Sequence, residues 1–365
     1  MRKHVIATAA IAALALLGAS GCSSRDTTAS GGSSAAAGFA ADAVIGVSLP
    51  SKTSENWVLA GGLFKDGLKA AGFKGDVQYA GASTTVKDQQ DQISAMVTNG
   101  AKVIFIGAAD GGQLATQIQQ AHDAGAVVIV YERFILNTAA VDYYIGFDAA
   151  KVGELQGQAL LAGLKAKKAT GPYNIELFSG SPDDALSAVF FNGAMTVLKP
   201  KIADGTLVVG STQTNIKQTA TAAWKAENAQ SRMDSLLTST YGSKSIDGVL
   251  SPNDTLARAI ITSVKAAGKP IPVVTGQDSE AESIKSIMAG EQYSTISKDT
   301  RLLVAKAVEM AKALQAGTKP EINKPNAYDS GSKVVTGYML APVIATKANA
   351  AEVYANDPKL APLTK

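Results

Sequence analysis

The sequence predicts an α/β protein built as two doubly wound, Rossmann-like lobes. Short β-type runs alternate with helix-length segments along nearly the whole chain, and the alternation restarts midway. A hydrophobic content of 46% and 34 glycines in 365 residues suit a well-buried protein of two domains. Strands separated by helices of this length form right-handed βαβ units, whose parallel sheets are covered on both faces.

In order, the first round reads as strand 43–49 and helix 57–71, with Leu59, Leu63 and Leu68 on one apolar side. Strand 77–80, helix 85–99 ended by Gly100, strand 102–106, helix 112–124, strands 126–131 and 143–147, and the long helix 149–164 follow. The second round opens on 173–184, YNIELFSGSPDD. Ile175, Leu177 and Phe178 have the character of buried strand residues. Gly180, Ser181 and Pro182 stop the strand, and Asp183 is placed to cap the next helix. Helix 184–198, strand 206–209, helix 226–237, strand 248–251 and helix 255–267 come next. Strand 272–275, helix 279–288, strand 294–297 and helix 300–316 complete the round.

The N-terminus carries Arg2 and Lys3, an apolar run over 5–17, and small residues up to Cys22. This is a signal-peptide pattern over 1–21, too short for a spanning helix. Cys22 is the only cysteine of the chain and follows Leu17-Gly18-Ala19-Ser20-Gly21, a sequence similar to a bacterial lipobox, so lipidation of Cys22 is expected. Residues 22–42 are small and polar, and read as a flexible tether of about 20 residues reaching roughly 25 Å. The expected product is exported, anchored to a membrane face through its lipid, and otherwise soluble.

Loss of Arg2 and Lys3 takes Lys+Arg from 34 to 32 against 31 acidic residues, so the mature net charge of about +1 gives no electrostatic footprint for nucleic acid. One cysteine rules out structural disulfides within the chain. His4 and His122 leave no Cys/His metal cluster, and His122, at a helix end, reads as a surface or dipole partner. There is no G-x-G-x-x-G after the first strand, no Walker A motif and no G-x-S-x-G elbow. Asp183 and Asp184 could be a pair of acid/base carboxylates, but adjacent residues rarely face each other across a substrate, and a helix cap is the simpler role. No enzyme, cofactor or metal is expected.

Polar residues recur at strand ends. Asp110 follows KVIFIGAA, Glu132 and Arg133 follow VVIVY, and Asp148 follows YYIGF. Asn253 and Asp254 follow GVLSP, Asp278 follows VVTGQ, and Lys298 follows YSTIS. Together they predict a cleft with both signs of charge, which suits a neutral polyhydroxylated ligand whose hydroxyls donate and accept. The two tryptophans, Trp57 and Trp224, stand at loop–helix junctions in opposite halves, where their faces could stack on the apolar face of a pyranose.

NIELFSGSPDD, LSPNDTLA, TGQDSE and AGEQYSTISKDTR resemble the periplasmic binding proteins for xylose and multiple monosaccharides that feed ABC sugar importers. The resemblance covers nearly all of 43–342. It implies a type I periplasmic-binding fold with a three-strand hinge. The implied division is 43–148 with about 279–325 in an N-terminal lobe, and 149–278 with about 326–365 in a C-terminal lobe.

The family's stacking tryptophans match Trp57 and Trp224, and its sugar-bonding residues match Arg133, Asn253, Asp278 and Lys298. Asp110 and Asp184 fall at positions near the ligand. The chain departs from its relatives at Asn56, where they carry arginine, at Glu132, where they carry aspartate, and at Ala185-Leu186, where they carry asparagines. The implied protein is a monomer that captures an aldopentose or aldohexose, xylose-like or glucose-like, by lobe closure and delivers it to an ABC permease. The alternative is a sugar-sensing partner of a chemoreceptor or sensor kinase.

Overall fold

The computed structural model describes residues 38–365 apart from 53 and 84, so the expected signal peptide, Cys22 and most of the expected tether lie outside the described residues. The first lobe begins β1 (Val44–Leu49), α1 (Glu55–Ala70), β2 (Lys74–Tyr79), α2 (Thr85–Thr98), β3 (Val103–Ile106), α3 (Ala115–Asp123), β4 (Val127–Tyr131) and β5 (Tyr143–Phe147). The second holds α4 (Ala149–Lys167), β6 (Tyr173–Leu177), α5 (Ala185–Ala203), β7 (Leu207–Val209), α6 (Ile216–Thr219) and α7 (Ala226–Ser239). It continues with β8 (Gly248–Leu250), α8 (Asp254–Ala266), β9 (Val273–Val274), α9 (Ala281–Ala289) and β10 (Ser294–Ser297). The chain ends with α10 (Thr300–Gln315), β11 (Lys324–Asp329), β12 (Val334–Leu340), β13 (Val343–Thr346) and α11 (Ala350–Val353).

The first sheet has the order β11-β12-β5-β4-β3-β1-β2 and the second β7-β6-β8-β9. All pairings are parallel except β11 with β12. The apolar run VIFI of β3 is buried at every position, as a parallel strand covered on both faces must be. Beyond β9 the second sheet is prolonged by backbone bonds from Tyr293 N to Val274 O (3.0 Å) and Ile296 N to Gly276 O (3.0 Å), with β13 antiparallel on β10.

The late chain therefore divides differently from the expectation. α9 shares a small core with β13 and the C-terminal segment, formed by Ile284, Ile287, Ala345, Tyr354 and Leu360, so 281–289 sits with the second lobe. α10 packs on the first core through Leu303, Val304, Ala307 and Ala311, and β11 and β12 extend the first sheet. The chain passes between the sheets at three places, after β5, after β10 and after β12.

Helix α5 lies tight on α4. A Cβ at Gly153 would stand 1.9 Å from Phe190 O, and one at Gly193 2.3 Å from Ala150 O, so only glycine lets the two backbones approach this closely. That contact fixes the start of α5, which faces the other lobe. The cap of α5 is Asp184, whose side chain accepts from Leu186 N at 2.9 Å, rather than Asp183 as the sequence led us to expect.

Candidate functional site

One cavity between the lobes is lined by Asn56, Trp57, Glu132, Arg133, Asp184, Trp224, Asn253, Asp278 and Lys298. All but Trp224, which sits in a 3-10 turn between α6 and α7, stand just past the carboxyl end of a strand or at the start of the following helix, where open α/β sheets present their ligand sites. Asp110 is not among the lining residues. Its Oδ1 accepts from Gly112 N at 2.9 Å and its Oδ2 from Gln113 Nε2, so its carboxylate closes its own turn. Asp148 likewise caps α4 by accepting from Lys151 N at 3.1 Å.

The charges are paired inside the cavity. Lys298 Nζ lies 2.9 Å from Asp278 Oδ1 and 3.2 Å from Glu132 Oε2, with all three side chains largely buried. Burial works against the Lys298 charge, yet Asp278 and Glu132 outweigh it and hold the amine above its ordinary pKa. Burial also pushes the Glu132 carboxyl up, against the pull of Lys298. Across the cleft, Arg133 Nε meets Asp184 Oδ2 at 3.1 Å, and Arg133 also donates to Ala108 O at 3.2 Å. The Asp184 carboxyl is raised by burial, with Arg133 opposing. Two cations face three carboxylates at close range, a balance with no strong attraction for an ion of either sign.

Trp57, 6% exposed, sits in the first core with its ring edge on Tyr131 at 6.2 Å, while the Arg133 guanidinium lies 5.3 Å from the Trp57 ring centroid. Trp224 packs against the cores of both lobes. Asn253 caps α8 through Oδ1 to Leu256 N at 2.9 Å, leaving its amide donor for the cavity. Asn56 accepts from Thr300 Oγ1, tying α1 to α10.

The cavity also includes Ser54, Phe190, Thr255 and Gln277, which were not read from the sequence, and Leu186, read there only as a departure from the relatives. Leu186 and Phe190 stand four apart on α5 and pack into the first lobe's core, so the interlobe contact is partly apolar. Their i, i+4 spacing was the available signal. Gln277 donates to Pro252 O at 2.6 Å, while its buried Oε1 has no hydrogen-bond partner. The wall therefore offers an unpaired acceptor at Gln277 and an indole donor at Trp224 that makes no well-formed bond and interacts with the Asp184 carboxylate. Among the described residues no group of His, Cys, Asp or Glu is placed to hold a metal ion.

Left-handed backbone concentrates here. Glu132 (φ 65°), Trp224 (φ 54°) and Asp278 (φ 99°) line the cavity, and Ala223 (φ 54°) and Ser279 (φ 57°) adjoin two of them. Each such residue costs roughly 1–3 kcal/mol and persists only where its surroundings over-determine it, as at ligand clamps.

The periplasmic binding protein domain family matches residues 45–319. The multiple sugar-binding periplasmic receptor ChvE of Rhizobium radiobacter is 46% identical over 317 residues, 85% of this chain and 89% of the receptor. The D-xylose-binding periplasmic protein of Escherichia coli is 32% identical, over 88% of this chain and 92% of its own. A crystal structure of an ABC transporter solute binding protein from Clostridium phytofermentans, with bound β-D-glucose, superposes with a TM-score of 0.83 at 37% identity, covering 88% of this chain and all of that one.

Proposed function

The chain belongs to the periplasmic binding protein domain family, with its type I fold, and from that premise we propose that it is an extracytoplasmic receptor for a monosaccharide, which it delivers to an ABC permease. The ligand class is an aldopentose or aldohexose of the xylose or glucose type. The relatives are binding proteins and receptors, and no catalytic step belongs to this reading. The protein acts as a monomer, held at the membrane by lipid on Cys22.

The observation that carries the reading is the cavity itself, where one tryptophan from each lobe meets a nearly balanced set of paired charges and an unpaired amide oxygen. A neutral ring with many hydroxyls uses such a wall fully. Its hydroxyls join the carboxylates, the amides and the guanidinium, and its apolar face covers an indole. Residues from both lobes contact one ligand, so binding selects the closed arrangement by differential contact.

A thermal-shift screen over sugars tests the ligand class, because a ligand that binds only the folded state raises its apparent stability. Trp224→Ala is expected to weaken binding of the best sugar by about tenfold or more, through loss of aromatic contact area. Calorimetry on the variant checks this, and an unchanged affinity would assign Trp224 to the core alone.

A further inference from the structure

We propose that Gly180 and Ser181, at the end of β6, are positioning residues for Trp224: they fix the plane of the indole and set sugar affinity through it, without touching the ligand. The inference rests on the monosaccharide reading above and adds the part of the protein that holds the stacking surface in place.

Trp224 reaches the cavity from a short 3-10 turn, Ala222–Trp224. Ala223 and Trp224 are both in the left-handed region, which side chains other than glycine and asparagine seldom adopt. Something outside the turn must hold it. Ser181, with no exposed surface, accepts from Ala223 N at 2.6 Å through its Oγ. Thr221 N donates to Gly180 O at 3.2 Å, and Ser179 N donates to Thr219 O at 2.9 Å. The end of β6 thus grips the backbone just ahead of the strained pair and at its first residue.

The indole is placed by shape rather than by polarity. Its Nε1 makes no well-formed hydrogen bond, although the Asp184 carboxylate interacts with it, so shape sets the ring's angle more than a bond from the ring does. The ring instead lies on Gly180, where a Cβ would stand 2.2 Å from both Cη2 and Cζ2 of Trp224 and 2.5 Å from Ser187 Oγ. Gly180 is not among the residues of positive φ. It is therefore glycine for space and not for backbone freedom, and a methyl group there would lift the indole. Neither Gly180 nor Ser181 lines the cavity, so their influence on a ligand passes through Trp224.

A double-mutant cycle tests this, with D-glucose as the calorimetric probe. Gly180→Ala is expected to weaken glucose binding by about tenfold and Ser181→Ala by about threefold, and both losses should shrink to less than about twofold in a Trp224→Ala background. Losses of the same size in both backgrounds, or unchanged affinity where Trp224→Ala itself weakens binding, would overturn the proposal. A second readout needs no sugar. In a Trp57→Phe background the emission reports Trp224 alone, since the chain has two tryptophans. Ser181→Ala and Gly180→Ala should shift that emission and its acrylamide quenching, and unchanged spectra from folded variants would contradict the cradle. Should glucose fail to bind the unaltered protein, the cycle is run with the best sugar of the aldopentose and aldohexose panel; should none of the panel bind, the monosaccharide reading falls while the spectra still decide the cradle. Ser181→Ala, which only removes an oxygen, carries the test if Gly180→Ala does not fold.

Discussion

Lys298→Met is expected to lower the unfolding free energy by about 3–5 kcal/mol, the cost of breaking a buried ion pair by removing one partner. The lysine is the shared cation of Glu132 and Asp278, and methionine keeps its length without its charge. Two carboxylates would be left in one buried pocket, with Asp278 also acting on the raised carboxyls of Asp254 and Glu280 nearby. The sign of the pH response is a second check. In the variant the Glu132 carboxyl, already pushed up by burial and by the charge of Asp278, loses the opposing pull of Lys298, so its protonation favours the folded state. The variant should regain stability as pH falls into the mildly acid range and lose it again as pH rises. Denaturant melts across pH read both effects. Stability unchanged at neutral pH would mean that the triad is open to water.

Arg133→Ala should act on affinity far more than on stability. Arg133 and Asp184 come from different lobes and meet at 3.1 Å, so in an opened cleft both are solvated. Closure without the guanidinium buries Asp184 unpaired, which costs about 2–5 kcal/mol and corresponds to roughly 30- to 5,000-fold weaker sugar binding. Arg133→Lys should recover only part of this. A lysine is a single point charge and cannot reproduce the planar fork that serves Asp184 and Ala108 O while covering the ring of Trp57. Calorimetry paired with thermal melts separates the cases. A large fall in melting temperature with little change in affinity would make the pair a structural one.

Much of the site was legible in the sequence because parallel α/β sheets put their strand ends on one edge. Glu132-Arg133, Asn253, Asp278 and Lys298 each follow an apolar run, and that position alone brought them together. The same logic misled at Asp110. A strand-end carboxylate can turn inward to its own loop, as it does towards Gly112 and Gln113, and sequence position does not separate the two outcomes. Asp183 and Asp184 posed the same difficulty one residue apart.

The late strands were not readable. KPNAYD of β11 is mostly exposed, so no apolar alternation marks it, and its place is set by pairing with β12. Without those strands the points where the chain returns to the first lobe, after β10, and leaves it again, after β12, could not be read, so the boundaries after 278 were drawn elsewhere. Gln277 and Thr255 are ordinary polar residues whose roles depend on three-dimensional neighbours. Gly180 read as a strand stop, and only the indole lying on it shows why no side chain fits there.

The central claim is that this cavity closes on a neutral monosaccharide. Isothermal titration calorimetry of the purified protein against a panel of aldopentoses, aldohexoses and polyols tests it most directly. The account predicts saturable binding of one sugar per chain, micromolar or tighter, for at least one aldopentose or aldohexose such as xylose or glucose. Absence of heat from every member of the panel would contradict it.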